Sequence, residues 1–170
     1  MNYEKIIIGT GCFWCTEALF KTLEGVKKVT PGYCGGIEQT ITYEEVCSGT
    51  TEFIEVVEIY YDINIIKLDD IIKFFLKIHD PTSLEKQGND IGKQYSSVIF
   101  YEDEKTRDFV KKVISKNQIN YKNKIVTKIF KEKNFVVAEN VHQNFYALNE
   151  THPYCQFVIK PKLDKIKNNI

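Results

Sequence analysis

The chain lacks any stretch of about 18 consecutive apolar residues, so no segment is expected to span a membrane. Its first residues place Glu4 ahead of a short apolar run, with no small-residue cleavage site. No secretory signal is expected there, and a cytoplasmic location follows. There is no excess of charge of either sign: 23 Lys+Arg balance 23 Asp+Glu. That argues against an electrostatic nucleic-acid binder, which needs a basic face. No internal repeat, low-complexity tract or Pro/Gly/Ser linker divides the 170 residues, so one domain, 1–170, is expected. The cysteines number five, an odd count without an export signal. A disulfide framework is therefore not expected, and the thiols are reactive or simply buried.

The 43% hydrophobic and 13% aromatic content is enough for a core. Strands are read at Glu4 to Ile8, Val26 to Val29, Phe53 to Tyr61, Ser97 to Tyr101 and Ile125 to Phe130. Helical patterns cover Cys12 to Leu23, Leu68 to Ile78, Glu104 to Lys116 and Ala138 to Leu148. Pro31 to Gly36 and His79 to Asp90 read as loops, and the segment after Leu148 as an irregular tail. The order opens as a split β-α-β (ferredoxin-like) motif. It points to an α+β fold, a two-layer sandwich of helices on a mixed sheet.

The sharpest local feature is Gly11-Cys12-Phe13-Trp14-Cys15, between a strand and a helix. A cysteine at a helix N-terminus meets unpaired N–H groups and the positive end of the dipole, which lowers its pKa and favours the thiolate. Phe13 and Trp14 beside the sulfur suit an apolar group such as a thioether methyl. The pair Cys12 and Cys15 also fits a redox or metal site, although a second Cys-x-x-Cys, as zinc would favour, is absent. On these residues alone a buried cysteine among core aromatics stays open as well.

Gly11-Cys12-Phe13-Trp14 resembles the signature of the peptide-methionine sulfoxide reductase A family. The likeness continues in family order through Gly32-Tyr33-Cys34-Gly35-Gly36, Thr42 to Gly49, Glu55-Val56-Val57, His79-Asp80-Pro81-Thr82, Gln87 to Gly92, Gln94-Tyr95 and Ala138 to Gln143. It implies reduction of the S epimer of free or protein-bound methionine sulfoxide, a repair of oxidative damage. In that scheme Cys12 attacks sulfur and Glu55 is the acid. Burial in an apolar strand would raise the pKa of Glu55 and keep it protonated. Tyr43 and Tyr95 match residues that hold the sulfoxide oxygen, Asp90 one that supports the site, and Phe13 and Trp14 the methyl pocket. His79 and His142 match structural positions, and His152 has no evident role.

The reaction leaves a sulfenic acid on Cys12, which condenses with a thiol. Cys155 matches a resolving cysteine of many relatives, but the glycine-rich tail beyond it is replaced here by Gln156-Phe157-Val158-Ile159-Lys160-Pro161. Cys15, an external thiol or Cys155 remain open as resolvers. Cys34 and Cys47 read as small buried residues. No bound cofactor or metal is implied. The reductant is thioredoxin or glutaredoxin, and the protein is expected to be a monomer. Two departures from the family stand out: Glu52-Phe53-Ile54 before the acid, and Ser96 where an arginine is usual. The competing readings are a thiol–disulfide oxidoreductase using Cys12 and Cys15, and a non-catalytic Cys/His metal module.

Overall fold

The computed structural model describes residues 2–168. It begins β1 (Tyr3–Thr10), α1 (Phe13–Phe20), β2 (Val26–Cys34), α2 (Tyr43–Cys47), β3 (Ile54–Asp62) and α3 (Leu68–Ile78). A small hairpin follows, β4 (Lys86–Gln87) with β5 (Asp90–Ile91). Then come β6 (Ser97–Tyr101), α4 (Glu104–Asn117), β7 (Lys128–Lys131), β8 (Val136–Val137) and α5 (Phe145–Leu148). Six strands form one sheet in the order β7-β6-β1-β3-β2-β8. Every pairing is antiparallel except β6 with β7, so the sheet is mixed. β3 lies between β1 and β2 and runs against both, which makes β1-α1-β2 the split motif expected from the sequence.

Strand periodicity explains which side chains meet the helices. Ile6 and Ile8 of β1, and Val57, Ile59 and Tyr61 of β3, enter the main core beneath α1, α3 and α4. Ile7, Ile54 and Val56 point the other way, into a smaller cluster closed by Phe135. Both faces of the central strands are covered, hence their nearly unbroken apolar runs. The same alternation puts Glu55 on the helix side, with Val57.

Three expectations are corrected. β2 runs on through Pro31, Gly32 and Tyr33, where a loop was read. Its outer neighbour, β8, pairs only Gly32 and Tyr33, and strand breakers are tolerated this close to an edge. The helix expected from Ala138 is replaced by a 3₁₀ turn over Asn140–His142 and the short α5. Polar side chains there bond main chain instead: Gln143 donates to the carbonyls of Pro31 and Ala138, each at 3.0 Å. Finally, the tail is not irregular. A π-helical stretch, Cys155–Ile159, leads into α6 (Lys160–Lys167), and Cys155, Ile159 and Leu163 form one buried stripe at helical spacing. No helix among the described residues is long and apolar enough to cross a membrane.

Candidate active site

Cys12 sits between the end of β1 and the first turn of α1, as its N-cap. Gly11 before it has φ +107°, and a Cβ there would meet the Gln87 side chain at 2.8 Å. Gln87 cannot easily yield, because its amide is bonded twice to the backbone of Asp80. Gly9 is constrained by contact rather than by φ: a Cβ would stand 2.7 Å from the Glu55 carbonyl. The Glu55 strand therefore passes directly against the strand that delivers Cys12.

Glu55 is 1% exposed, and its Oε2 accepts the Phe13 N–H at 3.1 Å. Its Oε1 is buried without a partner. Burial pushes its pKa up to about 8, the Asp90 charge adds to the rise, and the Phe13 N–H opposes it. At neutral pH the group is chiefly a carboxylic acid. The oxygen that accepts the N–H acts as the carbonyl, so the proton belongs on the unpartnered Oε1.

The Cys12 thiol is pushed well up, by burial first and by Glu55 second. The Trp14 N–H and the Tyr154 hydroxyl oppose the rise, the single hydroxyl proton being shared between this sulfur and Asp90. The low thiol pKa expected from the helix terminus is thus not found in this state. Burial, reinforced by Glu55, outweighs the helix terminus, whose foremost N–H, that of Phe13, is given to the Glu55 carboxyl.

Around this pair the structure collects the other residues singled out. Tyr43 opens α2, whose N-terminus is a capping box made by Thr42 and Glu45. Tyr95 ends a 3₁₀ turn, Lys93–Tyr95. Burial and the nearby Glu55 charge raise both phenols, so both remain neutral donors. Cys47, read as a small buried residue, is only half-buried, and its thiol faces both tyrosine hydroxyls. Asp90 lies on the hairpin strand β5 and accepts the Tyr154 hydroxyl at 2.7 Å. Tyr154 thereby bridges Asp90 and the Cys12 sulfur. It is a site residue that the sequence reading passed over.

Trp14 is held on every side. It stacks on Phe145 with centroids 3.6 Å apart, meets Tyr154 edge-on at 5.7 Å and donates its indole N–H to His142 Nδ1 at 3.1 Å. Burial lowers the pKa of His142, which keeps the ring a neutral acceptor. Phe13 is fully buried, packed on Tyr33 and His142. Its visible service to the acid is its main-chain N–H. His79 is half-buried, its ring desolvated so that its pKa is lowered to about 4, and it bonds the Phe75 carbonyl and Ser97 Oγ, at 2.6 and 2.7 Å. His152 packs edge-on against Trp14 and Phe145.

All five cysteines are free thiols. Cys34 is fully buried, bonded to the Lys133 carbonyl. Cys15 is on the first turn of α1 and lines, with Cys12, a cavity of about 460 Å³. Cys155 belongs to the buried stripe of the tail. At the two departures, Glu52 points outward and pairs with Lys93 at 2.5 Å. Lys128 reaches Ser96 Oγ at 3.3 Å and Glu85 at 2.8 Å, which places a cation from β7 beside Ser96.

Comparison with known proteins agrees with this geometry. A family model described as peptide methionine sulfoxide reductase matches residues 4–170. A peptide methionine sulfoxide reductase MsrA of Nitratiruptor sp. is 48% identical over 165 residues, 97% of this chain and 95% of that protein. Mxr1 from Saccharomyces cerevisiae in reduced form superposes with TM-score 0.86 at 33% identity, covering 90% of this chain and 89% of the other. Mxr1 in complex with Trx2 matches with TM-score 0.61 at 25% identity over 84% of each chain. With a cysteine and an enclosed acid at one helix start, and likeness over nearly its full length, the chain belongs to the peptide methionine sulfoxide reductase family.

Proposed function

We propose that this protein reduces the S epimer of methionine sulfoxide, with the Cys12 sulfur attacking the sulfoxide sulfur and Glu55 protonating the oxygen. The observation that carries this is the Glu55 carboxyl: enclosed beside Cys12, shifted to about 8, with one oxygen unpartnered. A buried polar atom without a partner costs about 1–3 kcal/mol. A sulfoxide oxygen would restore its bond, and the bond would strengthen as charge develops on that oxygen. The hydroxyls of Tyr43 and Tyr95 supply further donors, Asp90 and Tyr154 hold the opposite side, and Trp14, resting on Phe145, makes the apolar contact for the methyl group, with Phe13 packed against Tyr43.

The step balances without a cofactor. The thiol and sulfoxide become a sulfenic acid and a thioether: oxygen passes to the Cys12 sulfur, and an electron pair returns to the methionine sulfur. Glu55 lends its proton to the departing oxygen and regains one from the thiol. Thiols then reduce Cys12 again. The yeast relative found with Trx2 supports a thioredoxin as the external dithiol, with glutaredoxin as the second candidate. Incubation with dithiothreitol and each epimer of a blocked methionine sulfoxide tests the reading. Loss of the S epimer alone is expected, and turnover of the R epimer alone, or of neither, overturns it.

A further inference from the structure

We infer that Cys15, assisted by the Lys162 ammonium from α6, is the thiol that resolves the Cys12 sulfenic acid, and that Cys155 is a core residue. This rests on the reductase reading above.

The placement is specific. Cys12, Cys15, Asp90, Tyr154 and Lys162 line one cavity, and Cys155 does not. The two helical pieces of the tail present different faces. Tyr154, Val158 and Lys162 look into the cavity, whereas Cys155, Ile159 and Leu163 lie in the core. Cys155 has no exposure, and burial first and the Glu150 charge second push its thiol up. Bringing it to Cys12 would require unwinding the π-helical stretch. Cys15, by contrast, is close enough to Cys12 to raise its pKa.

Residues three apart on a helix face stand about 5–6 Å apart at Cβ, and a disulfide needs about 3.5–4.5 Å. The adjustment is small and falls where the chain can make it. Cys12 is an N-cap with non-helical φ and ψ, tied to α1 through its carbonyl by the N–H and hydroxyl of Thr16 at 3.2 and 3.1 Å.

Burial and the Asp90 charge keep Cys15 a thiol at rest, while the Lys162 ammonium, bonded to its sulfur, favours the anion. Resolution needs that anion only in passing. The Cys15 sulfur attacks the Cys12 sulfur, the S–O bond breaks, and the oxygen leaves as water with the Cys15 proton. An external dithiol then reduces the Cys12–Cys15 disulfide and is itself oxidised.

One equivalent of an S-sulfoxide, added without reductant and followed by mass mapping, tests this. A Cys12–Cys15 disulfide is expected in the wild type and in Cys155→Ser. Cys15→Ser is expected to release one methionine and then hold a sulfenic acid that dimedone traps. Lys162→Met should slow disulfide formation at pH 7 by roughly threefold per unit of thiol pKa, since the tenfold smaller thiolate fraction is partly offset by a more nucleophilic thiolate. Its rate should recover as pH rises, and Lys162→Arg should restore it at pH 7. A Cys12–Cys155 bond, a lasting sulfenic acid in the wild type, or an unchanged rate in Lys162→Met would overturn the inference. Absence of methionine in the first turnover would instead defeat the reductase reading itself.

Discussion

Two carboxyl groups are enclosed beside α1, and they are treated in opposite ways. Glu17, 2% exposed, is answered twice at one oxygen: its Oε1 accepts Lys21 at 2.6 Å and the Asn144 N–H at 3.0 Å, and neither of its oxygens is sealed away without a partner. Those bonds hold Asn144 in its left-handed turn, φ 55°, and so seat α5 and the Phe145 ring under Trp14. Glu55, at the start of the same helix, has one N–H and an empty second oxygen. Burial alone therefore does not mark a catalytic acid. The mark is burial with a bond withheld, because an unsatisfied group waits for a partner that the protein does not contain.

The contrast can be broken in order of effect. Cys12→Ser should leave no methionine formation above background in the epimer assay, since a hydroxyl cannot take the nucleophile's place. Glu55→Gln should slow turnover by about 10²–10⁴-fold, the usual worth of a positioned acid. It should also erase a fall in activity that the wild type shows as pH rises through about 8. Stability should respond to the same titration. The folded protein keeps the Glu55 proton between about 4.5 and 8 while the unfolded chain has lost it, so wild-type stability declines across that window. The decline is about 1.4 kcal/mol per pH unit at most. Denaturant midpoints at pH 5 and pH 8 should therefore favour Glu55→Gln increasingly at the higher pH. An unchanged difference between the two would mean that the carboxyl is ionised. Tyr154→Phe, which removes the bridge between Asp90 and Cys12, should cost about tenfold in kcat/KM. Glu17→Gln should keep kcat/KM within about threefold while lowering stability by about 1–3 kcal/mol. A large catalytic loss there, with stability intact, would sink the distinction between the two acids.

Much of this was readable before any coordinates, for identifiable reasons. The strand-to-helix turn at Gly11-Cys12 is a local signal, and so was the amphipathic face of α3 with Ile71, Ile72, Phe75 and Leu76 buried. The capping box Thr42-x-x-Glu45 announced α2 in the residues themselves and was overlooked. The stripe Cys155, Ile159, Leu163 likewise had helical spacing, and reading that segment as irregular hid Tyr154. Other features were beyond reach. β3 is apolar on both faces, so its pattern could not say which way Glu55 points; that depends on pairing with β1 and β2. Lys128, whose ammonium reaches Ser96, lies 32 residues from it in sequence. Tyr43, Tyr95 and Asp90 were suggested by family likeness, because in isolation a tyrosine reads as packing and Gly-Asn-Asp as a turn.

The chain has a single tryptophan, and it is Trp14. Its indole rests on Phe145, faces Tyr154 and is tethered to His142, all within the wall of the site. Intrinsic emission excited at the red edge of the indole band therefore comes from this one place. The protein carries its own optical reporter: seating of a substrate, or a change in the oxidation state of the neighbouring sulfur, can be timed in a stopped-flow mixer without any label.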